Sequence, residues 1–246
     1  MSTRHDIVLL HGWASHPQVF RGLARALDKR ARVHSLALPG YGGTPACAPY
    51  TLERMAQALA VNAPQPCTVL GWSLGAQVAL TWAQQMPRQV QRLVLVAATP
   101  CFTERSDWPH AVSAQQMRQF AAALQRDPQS LLRRFVALQT QGDEQAVRAA
   151  HQLRTALFTN LLPAQAVLAA GLESLRAMDL RAGLPAITQP VLVLHGERDA
   201  VTPCAAGAAL AALLPRAQFE TIPGAGHAPF LSNAAWMAAR IAGSLE

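Results

Sequence analysis

A serine stands between two glycines at residues 71–75, in the pattern Gly-Trp-Ser-Leu-Gly. The apolar run Thr68–Leu70 before it predicts a strand, and Leu74–Met86 after it has the apolar spacing of a helix. A serine on a sharp strand-to-helix turn exposes its hydroxyl, and the start of the helix favours a developing oxyanion. The pattern therefore predicts Ser73 as a nucleophile. The alternative is a serine that only caps the helix.

A serine nucleophile needs a base and a group that orients the base. Asp199 follows the apolar run Val191–Leu194, and His227 follows the predicted strand Gln218–Ile222. Each of these residues stands past the carboxyl end of a strand, and they follow Ser73 in the order acid, then histidine. The order and placement predict a Ser-His-Asp triad in which His227 is the base and Asp199 orients it.

Two neighbours of Asp199 must be weighed against it. Glu197 is the alternative acid, but it stands closer to the end of the strand, where its side chain is better placed to support the loop. We therefore prefer Asp199. His195 ends the same strand, and we interpret it as a buried histidine whose hydrogen bonds are satisfied.

Two backbone N–H groups are needed to bind the oxyanion. Leu74 follows the nucleophile and supplies one of them, and the other is expected from Trp13, after the strand Ile7–Leu10. The alternative role for Trp13 is simple core packing. His11, in the same turn, is interpreted as structural.

Strands and helices alternate along most of the chain, which is typical of a doubly wound, mostly parallel α/β sheet. Between Pro100 and Pro190 the sequence predicts helices only, so we expect a helical lid inserted between two strands. The chain is predicted to be one domain, residues 1–246, with a core of 1–100 and 186–246 and a lid of about 101–185. The predicted strands are Ile7–Leu10, Val33–Leu38, Thr68–Leu70, Leu93–Val96, Val191–Leu194 and Gln218–Ile222, and the predicted lid helices are Ser113–Leu124, Gln129–Gln139, Glu144–Thr159 and Pro163–Ala177.

Composition excludes several classes of protein. Of the 246 residues, 51% are hydrophobic and 14% are charged, which excludes a disordered chain or a solvated coiled coil. The net charge is +7, but no basic run of the nucleic-acid type is present, so we expect no nucleic acid and leave an acidic partner open. Four scattered cysteines, no apolar run long enough for a membrane helix and no signal-peptide core predict a reduced, cytoplasmic, soluble protein.

Five motifs resemble those of α/β-hydrolases: the His-Gly-Trp turn, the loop 39–42, the serine elbow, the loop 196–199 and the loop 226–230. Further stretches are similar to the pimeloyl-[acyl-carrier protein] methyl ester esterase family of biotin synthesis. The stretches are Leu10–Trp13, Leu70–Gly75, Pro100–Phe102, Asp107–Pro109 and Arg134–Thr140. Together the motifs cover nearly the whole chain, and the last three stretches are the most specific.

This resemblance implies removal of the methyl group from a pimeloyl methyl ester bound to acyl carrier protein, with methanol as the other product. The triad chemistry needs no cofactor and no metal, and we expect a monomer. The implied substrate-binding residues are Trp13, Ser73, Leu74, Phe135, Val136, Ala137, Leu138, Gln139 and His227. The implied contacts with the acidic carrier protein are lid arginines, of which Arg134 fits the family pattern and Arg133 and Arg148 are further candidates.

Three other functions stay open at this point. A short-chain carboxylesterase without a carrier-protein partner would use the same residues. A carbon–carbon bond hydrolase would share the triad, although the specific lid stretches argue against it. A non-catalytic ligand binder on this fold would have no need to keep all three triad residues.

Overall fold

A computed structural model describes residues 4–245 and contains one six-stranded sheet. The strand order is β2-β1-β3-β4-β5-β6, and every neighbouring pair is parallel. The predicted parallel α/β sheet is therefore confirmed. The strands are β1 (His5–Leu10), β2 (Ala31–Leu36), β3 (Cys67–Trp72), β4 (Val90–Val96), β5 (Val191–Gly196) and β6 (Ala217–Ile222).

The central strands β3 and β5 are buried along their whole length because helices cover both faces of the sheet. The edge strand β2 begins and ends two residues earlier than predicted. Its pairing with β1 explains the shift, since Leu10, the last residue of β1, pairs with Leu36. Beyond that point the neighbouring strand offers no partner, and Leu38 bonds to a histidine side chain instead.

Ten α-helices accompany the sheet in the described part of the chain, together with two short 3-10 helices at Pro17–Phe20 and Arg181–Ala186. The α-helices are α1 (Arg21–Leu27), α2 (Leu52–Ala60), α3 (Leu74–Gln85), α4 (Ala114–Arg126), α5 (Pro128–Gln139), α6 (Ala146–Phe158), α7 (Gln165–Ala177), α8 (Cys204–Leu213), α9 (Pro229–Ser232) and α10 (Ala234–Gly243).

Helices α4 to α7 lie consecutively between β4 and β5, where the sequence predicts the lid. Their ends have clear local causes. Ser113 and Gln116 form a reciprocal capping box at the start of α4, and Asp127 caps α5, whose first residue is Pro128. The division into a sheet core and a lid stays a prediction, and "lid" below means residues 101–185.

The carboxyl ends of the strands carry the predicted triad. Ser73 follows β3 directly, Asp199 stands three residues after β5, and His227 stands five residues after β6. All four cysteines are unpaired. None of the helices between residues 4 and 245 has both the length and the apolar character needed to cross a membrane.

Candidate active site

Ser73 occupies the tight turn between β3 and α3. Its backbone has φ +54° and ψ −120°, a conformation that a non-glycine residue rarely adopts, and its side chain makes no capping hydrogen bond with α3. A Cβ atom at Gly71 would lie 2.3 Å from the Gly75 carbonyl oxygen, and one at Gly75 would lie 2.3 Å from the Leu10 carbonyl oxygen. The two glycines therefore let the helix start close to both neighbouring strands, which holds the serine in its strained turn.

Trp72 connects the serine turn to the loop of His227. Its Nε1 donates a hydrogen bond to the His227 carbonyl oxygen at 2.8 Å, and the two rings are 5.6 Å apart. The edge of Trp72 also packs against Phe230. His227 is fully buried, and its Nε2 makes no hydrogen bond within residues 4–245. This nitrogen is therefore available to accept the proton of Ser73.

Asp199 is hydrogen-bonded on both carboxylate oxygens. Its Oδ2 lies 2.8 Å from Nδ1 of His227, and its Oδ1 accepts the backbone N–H groups of Val201 and Thr202, each at 2.8 Å. Burial alone would raise the pKa of this carboxyl group. The charge and hydrogen bonds of His227 and His195 outweigh burial and hold the pKa well below its usual range. Asp199 therefore stays an anion and fixes the tautomer of His227, with its proton on Nδ1.

Glu197 is directed elsewhere. Its Oε2 accepts the backbone N–H of Gly224 at 2.9 Å, so it supports the loop before His227 and does not touch the imidazole. His195 is fully buried and contacts the acid, with Nε2 2.9 Å from the Thr202 carbonyl oxygen and 3.2 Å from Asp199 Oδ2. Its Nδ1 has no partner in the described chain, so this histidine is less satisfied than predicted.

The turn before Trp13 lies against the serine. A Cβ atom at Gly12 would be 3.2 Å from the Cβ of Ser73. His11 holds this turn, because its Nδ1–H donates to the Gly12 carbonyl oxygen at 2.8 Å and its Nε2 accepts from the backbone N–H of Leu38 at 3.1 Å. The structural role predicted for His11 matches these contacts. The turn that leads to Trp13 therefore lies against the start of α3, where a Cβ atom at Gly75 would be 2.6 Å from the His11 carbonyl oxygen.

His11 should make the protein less stable in acid. Burial lowers its pKa from 6.5 to about 4, partly opposed by the hydrogen bond to Gly12 and aided slightly by His16. At a pH between about 4 and 6.5, His11 is therefore protonated in the unfolded chain and neutral in the folded protein. The free energy of unfolding decreases as the pH falls through this range. Over the whole range the loss is about 3 kcal/mol.

We expect His11→Gln to remove about 2 kcal/mol of the difference in unfolding free energy between pH 7.5 and pH 5, because glutamine does not titrate. Urea denaturation at the two pH values measures that difference. A variant with the pH dependence of the unchanged protein would contradict the assignment of this effect to His11.

A cavity of about 480 Å³ lies between the lid and the carboxyl edge of the sheet. Trp13, Phe120 and Phe135 form an aromatic cluster in its wall, with ring centres 5.3 to 5.6 Å apart in edge-to-face contacts. Nε1 of Trp13 donates to the Leu168 carbonyl oxygen in α7, which fixes the indole. The other apolar lining residues are Phe102, Val112, Met117, Ala123, Leu131, Leu138, Leu172, Leu175, Ala200 and Val201.

Ser73 and His227 do not line this cavity, but Trp13 and the two residues that follow Asp199 do. Its shape and apolar wall suit a flexible hydrocarbon chain. Phe120 was not identified from the sequence. Its position on the apolar face of a lid helix is the only signal that could have indicated it.

The residues of the segment Phe135–Gln139 lie in different environments. Phe135 and Leu138 line the cavity, whereas Val136 is buried outside it and Ala137 is exposed. Gln139 is buried, and its carbonyl oxygen accepts the backbone N–H of His227 at 3.0 Å. The end of α5 is therefore in direct contact with the loop that carries the predicted base.

The three predicted carrier contacts are all exposed, but they do not share one groove. Arg134 stands at the cavity and also lines an open groove of about 560 Å³, which includes Arg154 and the 85% exposed Val147. Arg148 lies in a separate groove. Arg133 is exposed but lines neither groove. In the part of the chain that the structure covers, no cluster of His, Cys, Asp or Glu side chains is arranged to hold a metal ion.

Comparison with known proteins identifies the fold family. The family model of the alpha/beta hydrolase fold matches residues 7–234. An esterase from Exiguobacterium antarcticum superimposes with a TM-score of 0.87 and 23% identity, covering 99% of this chain and 92% of the other. The enol-lactonase from Burkholderia xenovorans LB400 gives a TM-score of 0.83 at 19% identity, with coverage of 99% and 92%. The structural neighbours therefore confirm the fold.

Sequence relatives are more specific. A protein of Nitrosomonas europaea is 44% identical over 92% of this chain and 90% of its own length. One of Aromatoleum aromaticum is 44% identical over 94% of both chains. Both carry the name pimeloyl-[acyl-carrier protein] methyl ester esterase. The chain therefore belongs to the α/β-hydrolase fold family and, within it, to the family of the pimeloyl-[acyl-carrier protein] methyl ester esterases.

Proposed function

We propose that this protein is a serine carboxylesterase that cleaves the methyl ester of pimeloyl-acyl carrier protein, releasing methanol and the free carboxylate for biotin synthesis. The observation that carries the chemistry is the 2.8 Å hydrogen bond between Asp199 and His227, held beside the strained Ser73 turn. The observation that supports the substrate is the name of the relatives that are 44% identical over most of the chain.

The acylation half of the reaction begins when Nε2 of His227 takes the proton of Ser73 and Oγ attacks the carbonyl carbon of the methyl ester. The carbonyl oxygen becomes an oxyanion. When the tetrahedral intermediate collapses, the bond from carbon to the methoxy oxygen breaks, and His227 gives its proton to the leaving methanol. Water then attacks the acyl-enzyme by the same steps and frees Ser73.

The oxyanion is bound by the backbone N–H groups of Leu74 and Trp13. Leu74 starts α3, so the positive end of that helix adds to its own donor. The His11 and Gly12 contacts that fix the first turn keep the Trp13 donor in place before the charge develops. Each such donor contributes on the order of 3 kcal/mol to the transition state.

The cavity beside Trp13 binds the acyl chain, and its aromatic cluster excludes water from the ester. The arm that links the acyl group to the carrier protein leaves past Arg134, which stands both at the cavity and on the outer groove. Arg134 and Arg154 contribute positive charge to this groove, Arg133 and Arg148 are further exposed candidates outside it, and the chain as a whole carries +7. An acidic carrier protein is attracted to such a surface.

The same proposal includes a cytoplasmic monomer that works without metal or cofactor, since the three side chains and two amides complete the chemistry. Its active centre consists of Ser73, His227 and Asp199. Phe135 and Leu138 contact the acyl chain, whereas Gln139 acts through the backbone of His227.

The test compares kcat/KM for the methyl ester on pimeloyl-acyl carrier protein and on a small thiol. We expect a strong preference for the carrier-bound ester. Arg134→Glu is expected to reduce this preference about tenfold by raising KM, because it reverses a charge at the docking face. Kcat on the small ester should be unchanged within about twofold.

Arg88→Glu is the matched control. Arg88 is an exposed arginine just before β4, at the amino ends of the strands, whereas Arg134 lies in the lid. It is expected to keep the full preference. Equal kcat/KM values on both esters would remove the carrier protein from the proposal and leave a short-chain carboxylesterase.

A further inference from the structure

Asp143, in the turn between α5 and α6, makes contacts that its position in the sequence does not explain. Its Oδ1 accepts the backbone N–H of Gln145 at 2.7 Å, a bond to the second residue on that closes a local turn just before α6, whose N-cap is Gln145. Its Oδ2 accepts two further hydrogen bonds, from the backbone N–H of Gly226 at 3.1 Å and from Oγ of Ser232 at 2.9 Å. These two donors lie on either side of His227.

The neighbouring backbone groups make the same connection. The His227 N–H donates to the Gln139 carbonyl oxygen, and the Glu144 N–H donates to the Gly224 carbonyl oxygen, both at 3.0 Å. A Cβ atom at Gly226 would lie only 3.0 Å from the Gln139 carbonyl oxygen. The turn of the lid and the loop of the predicted base are therefore in close, hydrogen-bonded contact along their length.

The chemistry of Asp143 distinguishes it from an ordinary cap. The residue is 7% exposed, and no salt bridge joins it to a basic side chain in residues 4–245. A buried carboxylate is costly unless its oxygens are hydrogen-bonded, and bonds from N–H or O–H groups to a charged oxygen are about twice as strong as neutral ones. The local turn with Gln145 uses only one of the two carboxylate oxygens. The second oxygen is used entirely on the loop of His227.

We propose that Asp143 is a positioning residue that holds the His227 loop in the geometry needed for proton transfer from Ser73. It acts through Gly226 and Ser232 and does not touch the substrate. This inference rests on the proposed function, since it assigns His227 as the base. It also means that the turn beside Ala146 and Val147, which line the outer groove with Arg134, is bonded directly to the catalytic machinery.

Asp143→Ala tests the proposal, with p-nitrophenyl butyrate as the substrate and assays well below the melting temperature. We expect kcat to fall about 10- to 100-fold, because a displacement of about 1 Å of a catalytic group costs that much. KM should stay within about twofold, because the acyl cavity is untouched. Ser232→Ala removes one of the two loop contacts and should lower kcat to a smaller extent.

Asp127→Ala is the matched control. Asp127 is an aspartate directly before a lid helix, and its Oδ1 accepts the backbone N–H of Ser130 at 3.0 Å, but within residues 4–245 it makes no hydrogen bond with the His227 loop. The substitution Asp127→Ala should lower the melting temperature and leave kcat unchanged. A kcat of Asp143→Ala within twofold of the unchanged protein, or an equal loss in Asp127→Ala, would overturn the proposal.

If Asp143→Ala does not fold, Ser232→Ala replaces it, because it removes one of the two donors to Oδ2 and leaves the turn of Asp143 in place. A lower kcat at unchanged KM supports the proposal, and an unchanged kcat overturns it. The butyrate ester reports the triad without carrier protein. Failure of the carrier preference would therefore overturn the proposed substrate and leave the role of Asp143 intact.

Discussion

Ser73→Ala is expected to lower kcat for ester hydrolysis by about 10⁴- to 10⁶-fold, the range seen when the nucleophile of a serine triad is removed. The strained turn at φ +54° carries Ser73, and Trp72 directly before it is hydrogen-bonded to the His227 carbonyl oxygen, which connects the proposed nucleophile to the loop of the proposed base. Alanine meets the same backbone strain as serine, so we expect the variant to fold. Steady-state hydrolysis of a methyl ester, together with thermal unfolding, measures both effects.

Ser174→Ala is the control for loss of a half-buried serine. Its Oγ donates to the Tyr50 carbonyl oxygen at 3.1 Å, away from the triad, and its removal should leave kcat unchanged. If the unchanged protein and Ser73→Ala both bind the ester and neither cleaves it, the proposed esterase activity is wrong and the protein is a ligand binder. Loss of hydrolysis with binding retained supports the nucleophile.

Asp199→Asn is expected to lower kcat about 10³- to 10⁴-fold while preserving the fold. Because Oδ1 of Asp199 accepts two backbone N–H groups, the amide oxygen of asparagine will keep that position. The NH₂ group then faces Nδ1 of His227 and forces the proton to Nε2. His227 can no longer accept the proton of Ser73. The measurement is kcat across a range of pH.

Glu197→Gln tests the alternative acid. The glutamine oxygen can still accept the Gly224 N–H, so kcat should change less than about threefold. A large loss in Glu197→Gln with little loss in Asp199→Asn would reassign the acid. The low pKa of Asp199 also implies that moderate acid leaves this carboxylate charged, so a decline in kcat just below neutral pH must arise from another group.

The serine turn and the strand-helix alternation could be predicted from the sequence because their causes are local. Small residues on both sides of Ser73 allow the tight turn, and the apolar runs have the lengths and periods of buried strands and amphipathic helices. The predicted bounds of β2 were wrong by two residues at each end. A strand ends where its neighbour ends, and the pairing of Leu36 with Leu10 is not written in either segment alone.

In the sequence, Asp199 is favoured over Glu197 only because it lies farther from the end of the preceding strand. The structure shows that the two side chains have different partners. Glu197 accepts a hydrogen bond from the Gly224 N–H. Asp199 Oδ1 accepts two backbone N–H groups, which orients Oδ2 toward His227. Both carboxylates follow the same strand. Which of them meets the imidazole depends on how two loops from different strands fold against each other.

By itself the sequence determined the fold class, the nucleophile turn and the chain order of the three triad candidates, since each depends on residues within one short segment. Only the tertiary structure decided the contacts of Asp143 and Gln139. Asp143 looks like a helix cap, yet its second oxygen binds Gly226, 83 residues away. Gln139 ends α5, a helix that lines the cavity, but its carbonyl oxygen accepts the backbone N–H of His227. Such contacts form when the lid packs on the loop, and neither segment alone carries a pattern that specifies them.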